Sequence, residues 1–213
     1  MNLKRGLVAA GLGLMLTGCA AATPPVVTVT VTAPPSEISS ASESPEAAQP
    51  SPSSSLNDRG QLPKRVGQSG GISSEGGKQL LDFTVTGFEF VECTNSYAGD
   101  LNGRALAVMV EVATAAEFEG PLVVNGAEGM ISFDAYYWRG YGPDGTRMSG
   151  LDSEAIQNCM DSDKDLLPSY IGKGEKAKGL VLLDVTSDTG EVAFVPYDTG
   201  GWVWEYPGNG ASA

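Results

Sequence analysis

The chain has 213 residues, and 13 Lys or Arg against 26 Asp or Glu give it a formal net charge of −13. Because a polyanion repels phosphate backbones, we expect no nucleic-acid partner. The sequence contains no histidine, which excludes Ser-His-Asp and Cys-His hydrolase chemistry and any His-ligated zinc or copper site. We expect no cofactor.

The first residues have the pattern of a secretory leader. Lys4 and Arg5 precede an apolar run, 7–16, which is far shorter than the ~20 residues that span a bilayer. The run ends in Leu16-Thr17-Gly18-Cys19, which is similar to the bacterial lipobox. This resemblance implies a signal peptide over 1–18 and acylation of Cys19 (palmitate or a similar chain), which would anchor the protein on the extracytoplasmic face of the cell membrane. The alternative is an ordinary signal peptide whose cysteine stays unmodified.

Residues 19–78 are rich in Pro, Ser, Thr and Ala, and eight of the chain's 13 prolines fall there. Such a composition offers too little apolar surface to offset the entropy of ordering the chain. We therefore predict a lipidated, disordered tether over 19–78, including its glycine pairs at 70–71 and 76–77. The alternation of Val and Thr over 26–32 has strand propensity, but proline pairs flank it, so we expect extended chain there.

Residues 79–208 predict an all-β domain, followed by a flexible tail over 209–213. Leu81, Phe83 and Val85 alternate with polar residues until Gly87 shifts the phase, which predicts a strand with a bulge. We predict further strands over 106–112, 131–137, 179–185, 191–195 and 201–206, a turn over 142–145 and a short helix within 153–160. Short strands between turns, without a long amphipathic helix, are typical of an antiparallel β-sandwich.

Cys93 and Cys159 are the other two cysteines. In an exported chain a disulfide between them is the default expectation, and it would stabilise the fold by roughly 4 kcal/mol in the chain-entropy model. The alternative is a redox pair, but the close C-x-x-C spacing of such pairs is missing.

Residues 171–179 read Ile-Gly-Lys-Gly-Glu-Lys-Ala-Lys-Gly, and 180–185 continue as Leu-Val-Leu-Leu-Asp-Val. This turn and strand resemble the immunoglobulin-like lipoprotein domain of unknown function that is common in Gram-positive bacteria and related to a secreted mycobacterial immunoprotective protein family. The resemblance covers roughly residues 79–206. It implies an immunoglobulin-like sandwich in the cell envelope, and it provides no catalytic residues.

Four aromatic residues, Trp138, Tyr141, Trp202 and Trp204, form the candidate binding patch. Trp202 and Trp204 share one face of a strand. Aromatic residues in this pattern either fill the core of a sandwich or form an exposed patch on which sugars, peptides or proteins dock. If they are exposed, we expect the binding site there.

The charged clusters are weaker candidates. Asp161, Asp163 and Asp165 open like a calcium loop, but Leu166 stands where that loop needs Gly and Gly172 where it needs Glu. A solvated acidic loop is therefore the expectation, with a low-affinity cation site as the alternative. The lysines of 173–178 fit a solvated turn, or a contact with anionic lipid or wall polymer. Carboxylate pairs such as Asp82/Glu89 and Asp184/Glu205 have no distinctive spacing.

These features predict a membrane-anchored lipoprotein that acts as a non-catalytic binding or interaction module, with an envelope protein as its partner. A small-molecule or lipid-binding lipoprotein with a pocket inside the sandwich is the alternative. A carboxylate-based enzyme is the third possibility, and we expect the protein not to be an enzyme.

Overall fold

The structure, a computed structural model, describes residues 55–197 and 200–207. The predicted signal peptide, Cys19, the stretch 26–32, the tether as far as residue 54 and the tail 209–213 lie outside the described residues, and those expectations stay predictions. None of the described helices is long and apolar enough to cross a membrane.

Almost all regular structure in the described residues is β. The strands are β1 (Leu62–Pro63), β2 (Ser69–Ser73), β3 (Gln79–Val91), β4 (Arg104–Thr114), β5 (Leu122–Val124), β6 (Ala127–Met130), β7 (Trp138–Tyr141), β8 (Lys176–Val185), β9 (Gly190–Phe194) and β10 (Trp202–Tyr206). One short helix, α1 (Glu154–Gln157), and two 3₁₀ turns (Ala135–Tyr137 and Asp163–Asp165) interrupt them.

The strands form two four-stranded sheets and a hairpin. Sheet A has the order β1-β10-β9-β7, sheet B has the order β2-β3-β4-β8, and β5 pairs with β6. All pairings are antiparallel except β1 with β10. The predicted all-β antiparallel sandwich is confirmed. The bulge at Gly87 is confirmed as well, because the β3–β4 register shifts between Val85 and Gly87.

The inner faces of the two sheets are filled by aromatic and branched side chains. Phe133 stacks on Phe194 with ring centroids 4.2 Å apart, and Phe83 meets both rings edge-on at 5.3 and 5.6 Å. Trp204 and Leu183 are also almost fully buried. Burial of one side-chain row per strand is the main stabilising contribution, and it explains why the alternating stretches 81–85 and 106–112 were recognisable as strands.

The predicted boundary at residue 78 is wrong for 55–78, because this stretch belongs to the sandwich. β1 pairs with β10, and β2 pairs with β3. The ring of Phe83 occupies the space that a side chain at position 70 would need: a Cβ built on Gly70 would lie 2.8 Å from Phe83 Cζ. A polar, glycine-rich strand therefore packs on a neighbour's aromatic ring, and composition alone does not reveal it.

The strand predicted over 131–137 is also wrong. Ile131 makes only an isolated bridge, to Ile171. The chain then turns, because Ser132 Oγ accepts a hydrogen bond from the N–H of Asp134 at 3.0 Å, and the Ala135–Tyr137 turn follows. The other predicted strands correspond to β4, β8, β9 and β10, the predicted helix to α1, and the turn at 142–145 closes with Gly145 N–H on Gly142 O at 2.9 Å.

A smaller apolar cluster covers the outer face of sheet B. Ile156 of α1 and Cys159 pack on Ala105, Ala107 and Leu182. The Cys93–Cys159 disulfide is present, with the two Cα atoms 4.5 Å apart, which agrees with the predicted pairing. This cluster holds α1 against β8 and so positions one wall of the site described next.

Candidate functional site

The predicted aromatic patch is wrong as an exposed surface. Trp138 and Trp204 are 2% and 1% exposed and belong to the inner core. Trp202 is half-buried against Phe83, with ring centroids 4.9 Å apart. Tyr141 lies on the outer face of sheet A, where the guanidinium of Arg59 covers its ring at 4.1 Å. The alternation of these residues reflects burial, which is the core alternative stated above.

The carboxylates singled out by the sequence do not converge. Asp161, Asp163 and Asp165 are exposed, and within residues 55–197 and 200–207 no group of three His, Cys, Asp or Glu side chains is placed to hold a metal ion. Asp184 lies on β8 in sheet B and Glu205 on β10 in sheet A, so this pair is divided between the sheets.

Asp184 is fully buried and has a structural role. Its carboxylate accepts hydrogen bonds from the N–H and Nδ2 of Asn102, the N–H of Gly103 and the Oγ of Ser153, at 2.7–3.0 Å. Ser153 is the N-cap of α1 and also accepts from Ile156 N–H at 3.2 Å. Asp184 therefore ties the loop before β4 and the start of α1 to β8, and its oxygens are occupied.

The concave site that the structure does form lies along the outer edge of β8, and we call it the edge cleft. Its volume is about 890 Å³. Its floor is apolar, with Ile156, Leu166, Leu167 and residues 180–182 of β8. Polar groups nevertheless contribute slightly more of the lining of the edge cleft than apolar groups do, so a ligand there would meet both kinds of contact.

Three short elements form the walls of the edge cleft. The Ala135–Tyr137 turn and α1 both contribute lining residues. The Asp163–Asp165 turn leads into Leu166 and Leu167, which pair with β8 through a hydrogen bond from Leu167 N–H to Leu180 O at 2.9 Å. The walls are thus loops held in place by a rigid sheet.

The rim of the edge cleft carries more acidic than basic groups. Asp134, Asp152 and Asp163 face one amine, that of Lys164. Partial desolvation raises the pKa of Asp134 above its usual value, although hydrogen bonds with Ser132 and Ser169 oppose this shift. Because the carboxylates outnumber the lysine, the rim favours a cationic ligand group.

An exposed aromatic side chain stands beside this rim. Tyr136 is 66% exposed and meets the ring of Tyr137 edge-on, with centroids 5.2 Å apart. It also lines a second cleft of about 440 Å³, together with Arg139 and Arg147. Large exposed aromatic side chains at a concave site are typical contact residues for partners.

Sequence reasoning missed the edge cleft because residues from four separate stretches of the chain build it. The available signal was local: an apolar pair, Leu166-Leu167, directly after an acidic run, and Tyr136 next to an apolar stretch. Neither indicates which strand edge the loops cover, since that depends on tertiary packing.

Two solved structures align with this chain, both at low sequence identity. No protein-family model matches the chain, and no curated protein matches it. A secreted protein of Mycobacterium tuberculosis, MPT63, aligns with a TM-score of 0.44 and 15% identity over 68% of this chain and 97% of that chain. A Bacillus subtilis protein assigned as a lipoprotein, YcdA, aligns with a TM-score of 0.39 and 15% identity over 61% of this chain and 37% of that chain. Membership of the immunoglobulin-like lipoprotein family stays a prediction.

Proposed function

We propose that this chain is a non-catalytic binding module of the bacterial cell envelope, held on the extracytoplasmic face of the membrane by a lipid on Cys19, and that the edge cleft binds an envelope protein partner. The observation that carries the proposal is the edge cleft itself: an apolar floor, a charged rim and an exposed Tyr136, all fixed to one edge of a disulfide-closed sandwich.

Two features support an extracytoplasmic location. The leader ends in the lipobox-like Leu16-Thr17-Gly18-Cys19. The Cys93–Cys159 disulfide is typical of chains that fold in an oxidising compartment. The resemblance of 171–185 to a lipoprotein family is in accord with both.

Two observations favour binding at the surface over the alternatives. The oxygens of Asp184 are occupied by Asn102, Gly103 and Ser153, so this carboxylate is not available for acid–base catalysis. Between the sheets, the ring of Phe83 on β3 meets the ring of Phe194 on β9 edge-on at 5.6 Å, so the inner faces contact each other directly at this point, where a ligand inside the sandwich would have to lie.

The test is photo-crosslinking in cells. A benzophenone amino acid replaces Tyr136 in one strain and Tyr97 in another; both side chains are exposed, at 66% and 91%, but Tyr97 lies outside the edge cleft. We expect a discrete crosslinked partner from Tyr136 only, in the membrane fraction. Equal labelling at both positions, or none at Tyr136, would contradict the proposal.

The anchor is tested separately. Cys19→Ser removes the acceptor of the lipid, so we expect the variant to leave the membrane fraction. If Cys19→Ser stays with the membrane after a salt wash, the anchor is wrong, whereas the assignment of the edge cleft is unaffected.

A further inference from the structure

The outer edge of β8 is covered at two points and open between them. Leu180 O accepts a hydrogen bond from Leu167 N–H, and Asp184 N–H donates one to Leu151 O, both at 2.9 Å. These bonds show that the even-numbered residues of β8 direct their backbone groups away from β4. Because this direction alternates along a strand, Leu182, midway between the two, also directs its N–H and C=O outward.

These two groups of Leu182 lie at the floor of the edge cleft. Leu182 lines the cleft and is only 8% exposed. In the part of the chain that the structure describes, none of the backbone hydrogen bonds outside the ladders involves it. Buried backbone N–H and C=O groups are paired in the great majority of cases. An open donor and acceptor at the floor of a cleft are therefore positioned for a ligand that supplies one of each.

A peptide in extended conformation has this pair of groups on every second residue. Added strands bind in this way: main-chain hydrogen bonds give affinity, and side-chain contacts give specificity. Leu180 and Asp184 are four residues apart, about 13 Å along a strand. This distance fits a segment of about three residues between the two covered points.

The charge of the rim of the edge cleft favours one kind of side chain on the bound peptide. Asp134, Asp152 and Asp163 stand against a single amine, that of Lys164, and Lys164 itself lies 3.9 Å from Asp165, which neutralises it in part. A basic side chain on the bound segment thus meets an excess of carboxylate, whereas an acidic side chain is repelled.

We propose that the edge cleft binds a short extended peptide segment that carries a basic side chain, and that one residue of this segment pairs with the N–H and C=O of Leu182. This inference rests on the proposed function and names the chemistry of the partner: an extended, basic segment of an envelope protein.

The test uses the mature chain, residues 19–213 with Cys19→Ser, labelled with ¹⁵N, and capped peptides of sequence Thr-Val-Lys-Val-Thr as probes. Counterparts carry Gln or Glu in place of Lys. We expect the Lys peptide to bind about tenfold more tightly than the Glu peptide, and binding to shift the Leu182 amide resonance and slow its hydrogen exchange. Equal affinity of the Lys and Glu peptides, an unchanged Leu182 amide, or no binding at about 1 mM would overturn the proposal; the last result leaves water as the partner of Leu182.

N-methylated peptides distinguish strand pairing from other modes of binding. One Lys peptide is methylated at the lysine nitrogen, the other at both valine nitrogens, so that each blocks one edge of the same strand. We expect one of the two to lose binding and the other to retain it. If both bind like the parent, the ligand is held by side chains alone and the pairing is wrong; if both fail, a general steric effect replaces edge-specific pairing and the proposal fails.

Variants of the rim provide the matched control. Asp134→Asn with Asp163→Asn removes two carboxylates that line the cleft, and Asp100→Asn with Asp161→Asn removes two exposed carboxylates that do not. We expect only the first pair to weaken binding of the Lys peptide, by about fivefold or more. Equal losses would show a long-range charge effect instead. If Tyr136 crosslinks a partner in cells while the peptides do not bind, the proposed function stands and this inference falls.

Discussion

Two buried tryptophans differ in one atom-level respect. Trp138 donates its Nε1–H to the carbonyl oxygen of Phe133 at 2.8 Å, whereas Trp204 Nε1 has no hydrogen-bond partner among the described residues. Both side chains are at most 2% exposed. The two tryptophans are thus equally buried, but only Trp138 has a hydrogen-bond partner for its Nε1–H. Comparing their substitutions therefore isolates the contribution of one buried hydrogen bond.

We expect Trp138→Phe to cost about 1–2 kcal/mol more unfolding free energy than Trp204→Phe. The first substitution leaves the Phe133 carbonyl without its donor, and the second removes an N–H that has no partner. Urea unfolding of the two variants measures the difference. Equal costs would mean that Trp204 Nε1 is hydrogen-bonded in solution.

Tyr206 links stability to alkaline pH. Its side chain is 2% exposed, and its hydroxyl donates to the Ser187 carbonyl at 3.3 Å. Burial, together with the charge of Asp188, raises the pKa of Tyr206 to about 12. Because the pKa in the unfolded chain is about 10, the folded state favours the neutral phenol. The resulting stability is present below pH ~10 and is lost as pH rises towards 12.

We therefore expect the melting temperature of the protein to fall between pH 10 and 12 more steeply than that of Tyr206→Phe, which has no phenol to ionise at this position. The measured quantity is the difference in melting temperature between the two proteins at each pH, relative to the difference at pH 8. Parallel curves would contradict the raised pKa of Tyr206.

At the scale of an element, β2 shows how a strand without large side chains is held in place. A Cβ at Gly71 would overlap the carbonyl oxygen of Leu81, whereas at Gly76 the nearest atom is Ser74 Oγ at 3.9 Å. Both glycines lie in the stretch that composition predicts to be disordered. Only Gly71, which lies within the sheet, must be glycine, whereas position 76 has room for a side chain.

We expect Gly71→Ala to lower the free energy of unfolding by about 1–3 kcal/mol, because the β2 backbone must shift away from β3. Gly76→Ala is the control, and its effect should stay within about 0.5 kcal/mol. Thermal or denaturant unfolding measures both. Two neutral substitutions would mean that β2 does not pair with β3 in solution.

For the whole molecule, the sequence predicts those strands in which buried apolar side chains alternate with exposed polar ones. β3, β4, β8, β9 and β10 were predicted because one row of their side chains packs between the sheets. β2 was missed because the ring of Phe83 fills the space beside Gly70, and β1 was missed because two residues are too few to show an alternating pattern. The stretch 131–137 alternates like a strand, yet the hydrogen bond of Ser132 turns it. The edge cleft was not predicted, since it depends on which loops cross the edge of β8.

The two hydrogen-bonded contacts that flank Leu182, from Leu167 and to Leu151, also limit which strands can pair with the edge of β8. An uncovered strand edge invites sheet-to-sheet association between copies of a protein. On β8, Leu167 and Leu151 interrupt the edge within four residues, and Lys176 and Lys178 are exposed nearer its beginning. A whole strand from a second copy therefore finds no continuous edge to extend. The domain can present an open backbone pair on β8 and still resist polymerisation through this edge.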